Sequence, residues 1–238
     1  MDDLKRYEEL VKTIEYHNDL YYNQDDPKIS DYEYDMMMKE LKKIEKDHPE
    51  FVTPNSPTQH VGGSAKREAG VLVRHRVPML SLQDVFSKEE VQDFVKSMQE
   101  TLVDPVFVVE YKIDGLSMAL RYENGLLTTA ITRGDGIIQG EDVTVNAKVI
   151  KDVKNKLKEP IEYLEVRGEV YMTNEAFDKV NEIQELNNKK TFANPRNCAA
   201  GTLRQLDSRI TKQRNLSMFI FNIQDIRGKE ITSHSQGY

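Results

Sequence analysis

The sequence contains one cysteine, Cys198, in 238 residues. This scarcity excludes a disulfide within the chain and a zinc site built from several of its cysteines. No apolar run approaches the length needed to cross a bilayer. The N-terminus MDDLKRYEEL also lacks the apolar core of a signal peptide. We therefore expect a cytoplasmic protein with no membrane partner.

Positively charged residues are also fewer than negatively charged ones. The chain has 33 Lys and Arg residues against 40 Asp and Glu residues, and its formal net charge is −7. This balance argues against a surface coated in basic residues for nucleic acid, but it allows a local basic groove, because a partner responds to the local potential. The charged fraction of 31% and the hydrophobic fraction of 38% are typical of a globular protein of one or two domains.

The N-terminal part predicts a helical hairpin. Apolar residues from Leu4 to about Leu20 recur with helical spacing. A second helix begins after Ser30, and Glu33 completes a capping box. Residues 21–27 between the helices are predicted to be a loop. Two helices joined in this way form a module of their own.

A stretch rich in proline and glycine, residues 51–74, follows the hairpin and is typical of a linker. We therefore divide the chain into a helical module with its linker, residues 1–70, and a second domain, residues 71–238. The second domain mixes short strands with helices, which predicts an α+β fold with a mostly antiparallel sheet. Its strongest local signal is Asn124-Gly125, the turn of a β-hairpin.

The remaining elements of the second domain are predicted from periodicity and caps. The hairpin strands are 116–122 and 126–131, and two further strands are 161–172 and 216–226. A helix that carries apolar residues at core spacing follows the Ser87 and Glu90 capping box. Other helices are predicted over 142–153, after a cap at Asn174, and within 192–205.

An unusual strand is predicted from Pro105 to Gly115. Its residues are mostly β-branched or aromatic, yet Glu110, Lys112 and Asp114 share one face. Charges on a packed strand are costly unless something binds that face. The alternative is an exposed strand with solvated charges. The sharper hypothesis is that Lys112 is a nucleophile, activated by burial or by a neighbouring cation.

The strand over 161–172 repeats the anomaly, since Glu165, Arg167 and Glu169 alternate among apolar residues. Attack by a lysine on phosphorus would need arginines and a divalent ion to stabilise the developing charge. Three arginines in or beside turns marked by glycine or proline could provide the first: Arg133, Arg196 and Arg204. Glu169, alone or with Asp114, offers oxygen ligands for Mg²⁺, and Asp114 could equally bind a ribose hydroxyl. The rival hypothesis is a lattice of cross-strand ion pairs.

The N-terminal module also carries candidate binding residues. Asp31, Tyr34 and Asp35 share one helix face, where acidic residues ordinarily complement the helix dipole. Tyr21 and Tyr22 precede them, and aromatic rings beside carboxylates can stack on a planar ring and bind its amide or sugar.

Several of these motifs resemble those of known enzyme families. Lys112-Ile113-Asp114-Gly115 matches the Lys-x-Asp-Gly motif of covalent nucleotidyltransferases. The chain as a whole resembles bacterial NAD-dependent DNA ligases in an ordered set of further matches: Tyr21-Tyr22, Asp31-x-x-Tyr34-Asp35, Ser81-Leu82, residues 132–136, residues 164–170, and residues 194–205. The N-terminal hairpin separates this family from ligases that use ATP.

The resemblance implies that Lys112 attacks the AMP phosphorus of NAD and releases nicotinamide mononucleotide (NMN). It implies that Glu110 reads the adenine amino group, and that Ser81 and Leu82 line the adenine or ribose pocket. It assigns nucleotide and phosphate binding to Asp114, Glu169, Arg133, Arg196 and Arg204, with Glu169 as a Mg²⁺ or Mn²⁺ ligand. NMN would be held by Tyr21, Tyr22, Asp31, Tyr34 and Asp35.

The resemblance further implies an adenylation (nucleotidyltransferase) domain that acts in DNA replication and repair, with nicked duplex DNA as partner of a monomeric full-length enzyme. Asp84 and Thr202 depart from the family pattern tolerably. Later motifs with phosphate-contacting lysines, and a zinc finger that holds the family's zinc, lie beyond this sequence, so we expect the chain to adenylate itself poorly. The alternatives are a nucleotidyltransferase that uses ATP or GTP, and a non-catalytic module that binds NAD.

Overall fold

The computed structural model describes residues 3–23, 26–53, 56–59 and 71–237, without the side chains of Tyr22, Asn23 and Asp31. The predicted α+β fold is confirmed. The helices are α1 Asp3–Asn18, α2 Asp31–Asp47, α3 Lys88–Thr101, α4 Thr144–Ala147, α5 Asn174–Leu186, α6 Pro195–Leu203, α7 Ser208–Gln213 and α8 His234–Gly237. The strands are β1 Leu72–Arg74, β2 Leu116–Glu123, β3 Leu126–Thr132, β4 Gln139–Glu141, β5 Tyr163–Tyr171 and β6 Ser217–Arg227. Within these ranges, no helix has the length and apolar character required to cross a membrane.

The N-terminal module is the predicted helical hairpin. Helices α1 and α2 bury Tyr7, Leu10, Ile14 and Leu41 between them. The Ser30 hydroxyl accepts from the amide of Glu33, whose carboxylate accepts from the Ser30 amide, so the predicted capping box is confirmed. The predicted loop is wrong at its start, because a π-helical turn, Asp19–Asn23, continues α1.

The second domain is built on a four-stranded antiparallel sheet in the order β3-β2-β5-β6. The hairpin of β2 and β3 is confirmed, and its turn needs Asn124 and Gly125 because both adopt positive φ angles, 49° and 77°. Alternate residues of β2 and β5 face opposite sides of the sheet. One side is apolar, and the other carries the cross-strand pairs Arg121–Glu165 and Ser117–Glu169.

The apolar side forms the core. Strand residues such as Met118, Leu120 and Val170 pack with Val180 of α5 and Leu203 of α6. Strands β1 and β4 pair with each other in a second, two-stranded sheet. The linker prediction was therefore wrong over residues 72–74, which pair with 139–141. Residues 54, 55 and 60–70 of the predicted linker lie outside the described residues.

Three helix predictions need correction. The helix predicted over 142–153 is only one turn, α4, because the chain continues in turns that are stabilised by local hydrogen bonds. The N-cap of α5 is Thr173, whose hydroxyl accepts from the Ala176 amide, instead of Asn174. Ser87 caps α3 as predicted, but the Glu90 carboxylate accepts from the Phe86 amide and the Lys39 ammonium, so the box is incomplete.

The apolar face of α3 is largely exposed, although Phe94 contacts the ring of Phe107 edge-on. Val91 and Phe94 are 47% and 52% exposed, although their spacing is that of core residues. Periodicity indicates which face is apolar, but another element must pack on that face to bury it.

The predicted strand from Pro105 to Gly115 is also wrong. Regular strand structure begins at Leu116, and the preceding residues belong to no strand. Val106 and Val109, which a strand would direct to opposite faces, are 91% and 97% exposed, so neither face is covered at these positions. β-Branched residues favour an extended backbone, but a strand also requires a neighbouring strand for its hydrogen bonds. Within the described ranges none pairs with this segment.

Candidate functional site

Lys112 lies in the exposed segment directly before β2. It is itself exposed, so the prediction that it sits on a packed strand is wrong. Gly115 then leads the chain into the sheet, and a Cβ atom at this position would overlap the backbone carbonyl of Val170. The glycine therefore allows the lysine-bearing segment to approach β5 closely.

Glu169 on β5 is a half-buried carboxylate of the candidate site. It pairs across the sheet with Ser117, whose hydroxyl donates to Oε2 at 2.7 Å. Burial raises the pKa of Glu169, although the Ser117 hydroxyl and the charges of Arg196, Lys112 and Arg167 act in the opposite direction. The lysine and two arginines are therefore close enough to Glu169 to influence its ionisation.

Arg196 reaches this site from the start of α6. Asn194 caps the helix by accepting from the Asn197 amide at 2.8 Å, which places Arg196 in the first turn. Its Nε lies 3.8 Å from Oδ1 of Asp114, and its guanidinium lies 5.9 Å from the ring centre of Tyr21. The Asn197 side chain also donates to the backbone carbonyl of Tyr21 at 2.8 Å. The first turn of α6 thus joins the N-terminal module to the candidate site.

Arg133 is held by a tight turn between β3 and β4. The Asp135 carboxylate accepts three backbone amides, from residues 137–139. Burial would raise the pKa of Asp135, but these amides outweigh it and keep the pKa below its usual value. His75 Nε2 donates to the Arg133 carbonyl at 2.8 Å, and the Arg133 side chain donates to Ser81 Oγ at 2.7 Å. The turn therefore brings Arg133 and Ser81 together.

Arg167 belongs to the same site, although sequence reasoning assigned it no role. Its guanidinium donates to the Leu80 carbonyl at 2.9 Å. Its pKa is lowered by burial and by Arg133, while Glu169 acts to raise it. Its Nε is buried and has no hydrogen-bond partner among the described residues. The signal that could have identified it is its place between Glu165 and Glu169 on the charged face of β5.

Other predicted residues have different surroundings. Arg204 forms an ion pair with Glu141 of β4 at 2.8 Å, so its charge is directed to that strand. Glu110 contacts His234 of α8 at 2.9 Å. Leu82 is 73% exposed.

The predicted NMN residues are described only in part. The Tyr34 hydroxyl donates to Asn18 Oδ1 at 2.8 Å, and Asp35 is half-buried. The side chains of Tyr22 and Asp31 lie outside the described residues. Tyr21 contacts the second domain through Asn197 and Arg196.

Comparison with known proteins gives the family. Residues 70–238 match the model of the NAD-dependent DNA ligase adenylation domain. The chain belongs to this family. Residues 1–62 match a second model, the DNA ligase-like, N-terminal NAD⁺-binding domain. The two matches lie in the order that the sequence motifs predict.

Curated relatives named DNA ligase are similar over nearly the whole chain. The protein of Clostridium kluyveri is 56% identical over 236 residues, that of Caldicellulosiruptor saccharolyticus 53% over 234, and that of Acetivibrio thermocellus 50% over 237. These alignments cover 98–99% of this chain but only 34–35% of the relatives. The chain thus spans about a third of the length of the curated relatives it matches.

The carboxylates of this adenylation domain offer at most a sparse set of metal ligands. Among the described residues, no group of three or more His, Cys, Asp or Glu side chains could hold a metal ion. Magnesium is commonly bound by one or two carboxylates together with substrate phosphates and water. Glu169, beside Lys112 and two arginines, fits the role of such a single carboxylate ligand.

The site combines an amine, a carboxylate and several guanidinium groups. Guanidinium groups bind phosphate oxygens in a fixed geometry, and a lysine amine can form a bond to phosphorus. A half-buried carboxylate can accept hydrogen bonds from sugar hydroxyls or bind a hard cation. This set of groups suits phosphoryl transfer from a nucleotide to the lysine.

Proposed function

We propose that this chain is the NAD-activating part of an NAD-dependent DNA ligase, and that Lys112 is its nucleophile. The observation that carries the proposal is that the charges of Lys112, Arg167 and Arg196 all lie close to the half-buried carboxylate of Glu169. They do so in a chain whose two parts match NAD-binding and adenylation families.

In the proposed step the Lys112 amine, after losing a proton, attacks the α-phosphorus of the AMP half of NAD. An N–P bond forms, the pyrophosphate P–O bond breaks, and its electron pair leaves with NMN. Negative charge grows on the phosphate oxygens during this exchange, and nearby arginines stabilise it. Arg196 and Arg133 are assigned to this role, with Arg204 at the margin because it is paired with Glu141.

The remaining groups bind the nucleoside. Glu110 is assigned to the adenine amino group, Ser81 and Leu82 to the wall of the pocket, and Asp114 and Glu169 to the ribose. When Mg²⁺ is bound, with Glu169 as one ligand, it supplies further positive charge to the phosphates. The Ser117 hydroxyl orients Glu169 for either role through its 2.7 Å hydrogen bond.

The helical module is assigned to the NMN half of NAD. The contacts of Tyr21 with Arg196 and Asn197 support this role, because they bring a module aromatic ring beside the proposed phosphate site. The same role is proposed for the neighbouring residues Tyr22, Asp31, Tyr34 and Asp35. The division at residue 70 belongs to the proposal too.

The activity of a whole ligase extends further. We propose that in the full-length protein AMP passes from Lys112 to a DNA 5′-phosphate, and that nick sealing then serves replication and repair. Nicked duplex DNA as partner, the cytoplasm as location and a monomeric state remain predictions of the same proposal.

Intact-mass spectrometry tests the nucleophile. Purified chain is incubated with NAD and Mg²⁺, and in parallel with ATP and Mg²⁺. We expect a mass increase of one AMP with NAD, in a small fraction of molecules, and none with ATP. Peptide mapping should place the AMP on Lys112.

Lys112→Ala should abolish the adduct, whereas Lys151→Ala, which removes another exposed lysine, should retain it. An adduct that survives Lys112→Ala would refute the nucleophile assignment. Equal labelling by ATP would refute the choice of NAD. If neither nucleotide labels the chain, NAD binding measured by calorimetry would support a module without turnover.

A further inference from the structure

His234, the first residue of α8, contacts the residue assigned to adenine recognition. Its Nε2 lies 2.9 Å from Oε1 of Glu110, although 124 residues separate the two in sequence. Because a carboxylate accepts hydrogen bonds, the histidine nitrogen is the donor. Both side chains are partly exposed, 41% for His234 and 35% for Glu110, so the pair is accessible to a ligand.

His234 is held in place by its own short helix. The Thr232 amide and hydroxyl both donate to the Gln236 side chain at 2.9 Å, and the Gln236 amide donates to Ser233 Oγ at 3.2 Å. At the other end of the helix, Gly237 lies against the side chain of Ile223 on β6. The histidine therefore belongs to a segment that is stabilised by its own hydrogen bonds and packs on β6.

Glu110, in contrast, lies in the exposed segment that forms no strand. Its neighbours Val109 and Tyr111 are almost fully exposed, so they do not fix the backbone by packing. No strand in the described part of the chain pairs with this segment. A contact from a well-held element is therefore an effective way to set the direction of the Glu110 carboxylate.

We propose that His234 is a positioning residue for adenine recognition: it binds Oε1 of Glu110 and so directs the carboxylate towards the amino group of the base. The inference rests on the proposed function of Glu110. A carboxylate has about four lone-pair positions, so it can accept from His234 and from the base together. Hypoxanthine carries a carbonyl oxygen where adenine carries the amino group, and a directed carboxylate disfavours it.

The test compares the affinities for NAD and for nicotinamide hypoxanthine dinucleotide by calorimetry on the 238-residue chain. The measured quantity is the ratio of the two Kd values. We expect the wild-type chain to prefer NAD, and His234→Ala to reduce that preference about tenfold, the effect of losing one hydrogen bond to a charged group. A merely structural role would weaken both ligands equally and leave the ratio unchanged.

Two further variants separate the hydrogen bond from the helix. His234→Gln keeps a donor near the position of Nε2 and should restore most of the preference, whereas His234→Asn, with a shorter reach, should not. Ser235→Ala leaves the histidine in place and should behave as wild type. If His234→Ala unfolds, as judged by circular dichroism, the Gln and Asn variants carry the comparison.

The outcomes are distinct. If the wild-type chain prefers NAD and His234→Ala keeps the full preference, the inference is overturned and the role of Glu110 stands. If His234→Ala binds NAD more tightly, the histidine competes with the base, and the positioning role is wrong. If the wild-type chain does not distinguish the two dinucleotides, the assignment of Glu110 falls together with the inference.

Discussion

The ion pair between Arg121 and Glu165 offers a sharp test of how the sheet is stabilised. The two residues are cross-strand partners on β2 and β5, and both are buried, with exposures of 6% and 0%. Arg121 Nε donates to Glu165 Oε2 at 2.8 Å, and the Tyr163 hydroxyl donates to the same oxygen at 2.6 Å. Arg121→Met removes the cation and leaves the carboxylate in the interior with the tyrosine as its hydrogen-bond donor.

The expected cost follows from this burial. An unpaired buried carboxylate lowers the free energy of unfolding by about 3–5 kcal/mol. Replacing the whole network by apolar groups, as Arg121→Met with Glu165→Leu and Tyr163→Phe, avoids the unpaired charge. The triple variant should therefore lie within about 1 kcal/mol of wild type, or be more stable.

Urea denaturation followed by circular dichroism at neutral pH measures both variants, with m-values compared to verify that the unfolding transition is the same. The reasoning is refuted if Arg121→Met costs less than about 1 kcal/mol, since that would mean that the carboxylate is hydrated or neutralised by other means. It is also refuted if the triple variant is as unstable as the single variant. In that case packing, and not charge, would be the main contribution of these side chains.

Two further predictions concern titration. Ser117→Ala removes a hydrogen bond that lowers the pKa of Glu169, so that pKa should rise further. The acidic limb of the pH profile of AMP-adduct formation should then move to higher pH. An unchanged acidic limb would contradict the role of ionised Glu169. Burial raises the pKa of Tyr122 to about 12, and burial with Glu165 raises that of Tyr163 to about 12. The folded state therefore keeps these phenol protons to a higher pH than the unfolded chain does. The free energy of unfolding should be unaffected below about pH 10 and fall as the pH rises towards 12, and the fall should be smaller in Tyr163→Phe. Urea denaturation across that pH range measures it.

Local sequence signals were sufficient where the determining contacts are local. The turn at Asn124-Gly125 depends on two residues that tolerate positive φ, and the cap at Ser30 depends on a partner three residues away. The first turn of α6 is similar, because Asn194 caps it and thereby places Arg196 at the site. Such elements can be predicted from a few neighbouring residues.

Signals failed where a distant partner decides the outcome. Residues 105–115 have strand composition, yet they form no strand, because a strand needs a neighbour that composition does not reveal. The contact of His234 with Glu110 likewise joins residues that no local pattern relates. The apolar stripe of α3 was recognised correctly as apolar, but the face is exposed.

The charged residues that alternate along β5 serve two purposes. One end of the strand forms a structural ion pair, and the other end belongs to the candidate site. Glu165 and Glu169 occupy equivalent positions in the sequence pattern, but their cross-strand partners differ. Opposite Glu165 stands Arg121, so this end of the strand is the structural ion pair that the rival hypothesis predicts. Opposite Glu169 stands the neutral Ser117, so its charge remains to interact with Lys112 and the arginines. Only the pairing of the strands separates the two glutamates.

The different surroundings of Glu165 and Glu169 also explain how a chain of negative net charge can offer a site for phosphate. Since Arg121 and Glu165 neutralise each other, they contribute little to the field at the site. Around Glu169, the three cations Lys112, Arg167 and Arg196 outnumber the two carboxylates, Glu169 and Asp114. The charges named here therefore have a positive sum although the net charge of the chain is −7. Such a site suits the proposed dinucleotide ligand, which carries two phosphates.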